Sequence, residues 1–134
     1  MGFRTGKKKD DFFCYTSQYM SRISPRWILI IGLAYVFAFF GVAKFLEPIM
    51  WIGWMPSWLE GILGLSREMW LQVVGATEIL LALLLLVPKH SFQRIIAVLM
   101  ALHLLTILSQ AGVFNDVGVR DTGLLFMAVS VIFL

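Results

Sequence analysis

Cysteine is almost missing from this chain: Cys14 is the only one in 134 residues. Without a CxxC pair the protein cannot carry thiol–disulfide exchange on its own thiols. Cysteine-ligated zinc and iron–sulfur clusters are excluded for the same reason. Charge is also scarce, at 14% Asp, Glu, Lys and Arg, against about 25% in a typical soluble domain. Sustained period-two alternation is lacking, which excludes a membrane β-barrel. No small-residue cleavage site follows the first apolar run, so that run is expected to stay as an anchor and not to leave as a signal peptide. A nucleic-acid partner is excluded as well, because the net charge of +3 comes with no nucleic-acid-binding motif and no aromatic platform.

What is present is apolar. Hydrophobic residues make up 60% of the chain, and the mean hydropathy is +0.86. The expected fold is all-α: a polytopic membrane protein with a four-transmembrane-helix bundle spanning 27–46, 70–87, 95–113 and 116–134. Runs of this length match the ~20 residues that a helix needs to cross ~30 Å of hydrocarbon. The last span reaches that length only if it begins at Asn115 or Asp116, either of which can cap it. That choice draws Arg120 and Asp121 into the bundle, where they need partners. A truncated chain is the competing explanation for the abrupt apolar end at Leu134. Two parts are expected, a basic tail over 1–26 and the transmembrane domain over 27–134.

Orientation follows from the basic residues. Arg4, Lys7, Lys8, Lys9, Arg22 and Arg26 precede the first span, and Lys89 and Arg94 lie between the second and third. The other connections hold more acids than bases. By the positive-inside rule both termini face the cytoplasm of a cell membrane, and the basic tail lies on anionic lipid headgroups. Trp51, Trp54, Trp58 and Trp70 crowd the first outer connection, with an amphipathic turn or helix expected over 58–65. Indoles favour the interface, so this connection is an aromatic belt or a lid.

Ionisable groups inside the apolar runs are the candidates for function, because each is costly to hold there. Glu78 lies near the middle of the second run. At about 1.5 Å per residue it is roughly 12 Å below the outer boundary, and His103 is roughly 12 Å above the inner one. The two therefore lie close enough in depth to bridge directly or through one water. Tyr35 falls at the depth of His103. On the third span His103, Thr106 and Gln110 form one stripe, while Gly75, Glu78 and Ala82 share a face of the second, and Gly41 and Lys44 one of the first. Small residues beside polar ones let backbones approach and turn the polar groups toward protein. These patterns predict a polar pocket, open toward the outer side, of Glu78, His103, Lys44, Tyr35, Gln110, Arg120 and Asp121.

The order Gly41-Val-Ala-Lys44-Phe45, Pro48, Gly75-Ala-Thr-Glu78 leading into Leu81–Leu86, and Asn115-Asp116 with Arg120-Asp121-Thr-Gly-Leu-Leu125 resembles the DoxX/DoxD family of small four-helix membrane proteins. The resemblance runs from about Trp27 onward. It implies a link to membrane oxidoreductase complexes, including the thiosulfate:quinone type, and so quinone access or an anchoring role. The thiol-redox chemistry of related four-helix enzymes does not carry over, since the cysteine pair is missing.

Three functions fit these residues. In one, the chain is a subunit of a quinone-linked oxidoreductase in which Glu78 and His103 relay protons and Lys44 and Arg120 favour an anionic ligand; a partner or cofactor must then supply the electron carrier. In the second, Lys44 with Glu78, or Arg120 with Asp121, are buried pairs that fix helix register in an anchoring subunit for a protein partner or a second copy. In the third, the same acid and histidine serve a stand-alone transporter. Haem ligation is disfavoured because His90, the other histidine, lies in the inner connection. A metal site of Glu78, His103, Asp116 and Asp121 has no compact spacing motif, so no metal is expected.

Overall fold

The computed structural model describes residues 24–134. The expectations for the basic tail and for Cys14 therefore lie outside the described residues, apart from Ser24 to Arg26. Helix α1 is Pro25–Leu46, α2 is the short Pro48–Ile52, α3 is Arg67–Leu85, α4 is His90–Ala111 and α5 is Asp116–Phe133. Between α2 and α3 there are only two single 3-10 turns, Ser57–Leu59 and Ile62–Gly64, where the sequence suggested one amphipathic turn or helix. Gly61 and Gly64 there adopt φ of 84° and 72°, a left-handed backbone that stops a regular helix from propagating.

The helix ends follow their sequences. Pro25 and Pro48 open α1 and α2 at positions whose N–H has no intrahelical acceptor. Ser66 caps α3 by accepting the Met69 amide at 3.3 Å, and Asn115 caps α5 by accepting the Gly118 amide at 2.8 Å. Gly112, at φ 77°, turns the chain out of α4.

The four long helices form one bundle. Helix α1 packs most closely on α3 and α4 on α5, and contacts of α3 with α4 and of α1 with α5 close the ring. The buried positions of α1, Ile30, Leu33, Ala34, Phe37, Gly41 and Lys44, recur every three or four residues, the stripe that faces neighbouring helices. Ile30, Leu33, Leu85, Ala97, Met100, Ala128 and Val131 meet in the fully buried core. Helices α1 and α3 approach closely at Gly41 and Gly75. A Cβ on Gly41 would lie 2.8 Å from the Gly75 carbonyl oxygen, and one on Gly75 the same distance from the Gly41 oxygen.

The outward faces are apolar. Ile28, Ile31, Phe39, Leu46, Leu83, Ile95, Leu102, Val119 and Phe126 are all exposed, far beyond the patches tolerated on a soluble monomer. Helices α1, α3 and α4 are each long and apolar enough to cross a membrane. Helix α5 matches the length but carries Asp116, Arg120 and Asp121. The molecule is a small multi-pass membrane protein, with its hydrogen-bonded backbone held in helices as a bilayer requires.

Candidate functional site

The polar groups converge where α1, α3, α4 and α5 meet below the Trp-rich connection. Helices α1 and α3 run antiparallel, so Lys44 and Glu78 flank the Gly41–Gly75 contact from opposite sides, Lys44 beside Gly75, and the close backbone approach lets the lysine side chain span it to the acid. The Lys44 Nζ donates to Glu78 Oε2 at 2.6 Å, with both side chains buried. The other carboxylate oxygen, Oε1, lies 3.4 Å from His103 Nε2, at the long edge of hydrogen-bonding distance. One acid on α3 thus touches a cation on α1 and an imidazole on α4. The His103 ring also tilts against Phe37 at 6.1 Å between centroids.

A second pair stands beside this triad. Arg120 Nε and Nη2 both reach Asp121 Oδ1, each at 2.6 Å. Two donors on one oxygen leave Asp121 Oδ2 with no protein partner, although Asp121 is only 1% exposed. The Arg120 guanidinium lies 3.9 Å from the centre of the Phe40 ring and 5.6 Å from that of Trp51, and Lys44 Nζ is 4.8 Å from Trp51. Both cations therefore gain from aromatic faces, Lys44 in a buried setting and Arg120 in a half-buried one. In formal charge the two cations offset the two acids.

Above these groups lies a cavity of about 390 Å³. Its floor includes Lys44, His103, Arg120 and Asp121, its walls Leu71, Val74, Thr106, Ile107 and Gln110, and its roof Trp51, Trp54, Pro56, Trp58 and Trp70. The Trp70 Nε1 is buried without a hydrogen-bond acceptor. A void of about 10 Å³ between Glu78, Arg120, Asp121 and Phe40 continues beneath; that is close to the smallest space that holds one water.

Of the residues singled out by sequence, Glu78, His103, Lys44, Gln110, Arg120 and Asp121 border this cavity or the void below it. Tyr35 does not join them. It is 69% exposed on the outward face of α1, beside Phe39, because depth fixes its height in the bundle but not the side of the helix from which it projects. Asp116 is exposed at the start of α5, away from Glu78 and His103, and no group of three potential metal ligands gathers among the described residues.

Two features had no clear signal in the sequence. Phe40 supplies the ring under Arg120, and its one hint is its place one turn before Lys44. Gln93, 3% exposed, donates to the Leu85 carbonyl at 3.2 Å and accepts from Arg26 at 3.0 Å, which ties α1, α3 and α4 at the opposite end of the bundle.

Residues 33–118 match the family described as a domain of unknown function, DUF8561. The chain belongs to the DUF8561 family. The matched stretch takes in Gly41, Lys44, Gly75, Glu78 and His103 together with the Trp-rich connection, and stops short of Arg120 and Asp121. No curated protein and no solved structure matches the chain. The family shown is DUF8561; the likeness to DoxX/DoxD proteins rests on the short motifs alone.

Proposed function

We propose that this DUF8561 protein is an accessory subunit of a membrane redox complex, and that its cavity takes the ring headgroup of a quinone-type lipid-soluble carrier. The observation that carries the reading is the placement of Lys44 and His103 at the floor of an aromatic-roofed cavity, with Glu78 behind them in contact with both. Flat rings pack well against indoles, and a mostly apolar pocket with a few convergent polar groups is the usual form of a small-molecule site. A bound carrier of this type would supply two-electron chemistry and would need its ring oxygens protonated or deprotonated.

The chain's own residues suit the proton part of that task. His103 lies at the cavity floor and reaches Glu78 behind it, so a proton taken at the imidazole can pass to the carboxylate. Lys44 holds Glu78 in place. Lys44 and Arg120 are each paired with an acid, so the floor is formally neutral and offers N–H donors beside carboxylate acceptors to the polar end of a ring. The tryptophans keep bulk water away from the reacting end.

This reading places both termini in the cytoplasm, with the Trp-rich connection at the outer face of the cell membrane, in keeping with the excess of Lys and Arg in the tail and near Lys89 and Arg94. It is tested by native mass spectrometry of protein extracted gently from its own membrane. Retained quinone and a stoichiometric partner subunit are expected. Turnover with quinone per folded molecule should then fall sharply in Glu78→Gln; full activity per folded molecule in that variant removes the proton role.

A second reading is favoured by the seal around the Lys44–Glu78 pair, with Lys44 6% and Glu78 5% exposed. Here the pair sets the register of α1 on α3, and the protein anchors a partner without binding a carrier. A partner recovered with no small molecule would support it. Flux across proteoliposomes without any partner would favour a transporter instead.

A further inference from the structure

Two buried polar atoms on residues that line the cavity have no partner, and they differ in kind. Asp121 Oδ2 can only accept from a ligand, and Trp70 Nε1 can only donate. Orphaned groups of this sort are rare in native interiors and each calls for an explanation. Helix packing does not supply one, because Arg120 spends both of its short contacts on the same Asp121 oxygen. An arginine–carboxylate pair more often uses both oxygens.

We infer that the cavity selects a ring bearing hydroxyl groups, a phenol or 1,4-dihydroxyarene, over the matching dione that has acceptors alone. The inference rests on the cavity reading above and names the chemical form of its ligand. A ring hydroxyl gives Asp121 the donor it lacks, and an oxygen elsewhere on the ring gives Trp70 its acceptor. A dione satisfies Trp70 but sets lone pairs against the Asp121 carboxylate. A site built to bond a ligand hydroxyl discriminates strongly against the analogue without it, because the site's own polar group is then left unpaired. Both atoms are closed off from a water-sized probe, so a ring reaches them through a small shift of the neighbouring side chains, and the hydrogen bond then forms in a low dielectric, where it counts for more.

The test uses the whole protein in lipid nanodiscs under anaerobic conditions. Calorimetric titrations compare a short-chain 1,4-benzoquinol, the corresponding quinone, and the quinol's dimethyl ether, which keeps the ring but has no donor. The quinol should bind at least about tenfold more tightly than either of the others, the factor expected for one buried hydrogen bond. Asp121→Asn should erase that preference, and Trp70→Phe should weaken the three probes alike. The comparison within the wild-type protein needs no variant and stands even if Asp121→Asn does not fold. Equal affinities, a preference for the quinone, or an undiminished preference in folded Asp121→Asn overturns the inference and leaves the cavity reading standing. Binding of none of the three overturns both.

Discussion

Lys44 and Glu78 are 34 positions apart in sequence and 2.6 Å apart in the fold, with His103 on the remaining carboxylate oxygen. Breaking a buried pair from one side leaves a charge without compensation and costs about 3–5 kcal/mol. Lys44→Met and Glu78→Gln should each lower stability on that scale. The double variant should lose less than the sum of the two by 1 kcal/mol or more, on the order expected for residues in contact. Reversible unfolding in mixed micelles measures all three, and additive losses would show that the pair contributes no coupling.

Gly41 and Gly75 set the distance at which that pair can form. A methyl group at either would meet the other helix's backbone oxygen at 2.8 Å, and backbone cannot swing aside as a side-chain tip can. Gly41→Ala and Gly75→Ala should each cost about 1–3 kcal/mol through forced separation of α1 and α3. Gly123 on α5 has open space around its Cβ position, so Gly123→Ala should be neutral or slightly stabilising through its better helix propensity. Equal effects at all three positions would refute the close-packing account.

Arg120 should not tolerate lysine. Its guanidinium reaches Asp121 through two nitrogens while lying over Phe40, and an ammonium cannot reproduce the fork and the stacking together. Arg120→Lys should destabilise by about 1.5–3 kcal/mol, the usual worth of a hydrogen bond to a charged group. Arg67 pairs with Glu60 at 3.5 Å at the surface, so Arg67→Lys should change stability by less than about 0.5 kcal/mol. Thermal denaturation of the two variants side by side decides the matter.

Tyr35 and His103 share a depth but not a face. Tyr35→Phe should leave stability, ligand binding and any turnover unchanged, since the hydroxyl projects outward beside Phe39. His103→Phe keeps a ring against Phe37 but removes the group that touches Glu78. It should weaken binding of a ring ligand in the cavity while the bundle stays folded. Reduced binding in Tyr35→Phe, measured by the same titrations, would return Tyr35 to the site.

Much of the fold could be read from the chain because a bilayer makes simple demands. The length of each apolar run sets whether it can cross, and the Asn115 cap marks where α5 starts, whereas α3 begins three residues before the expected Trp70, capped by Ser66. The start of α5 before Arg120 followed from the length it needed. Pairing Lys44 with Glu78 or Arg120 with Asp121 was one of several open readings, since every intramembrane charge needs compensation but sequence does not say from which neighbour. Over 58–65 the sequence left a turn and a helix open, because the apolar residues there fit either; the structure has two 3-10 turns, since Gly61 and Gly64 interrupt the helical backbone.

By itself, then, the sequence determined that this chain is a membrane-embedded helical bundle with ionisable groups at middle depth. Hydropathy and the 1.5 Å rise per residue act along the helix axis and fix length and height. Tertiary structure alone decided rotation and partnership: that Tyr35 faces outward, that Phe40 lies under Arg120, and that Asp121 keeps one oxygen without a partner. Those outcomes depend on how each helix is turned about its axis, and that is set by contacts such as Gly41 against Gly75, made between residues distant in the chain.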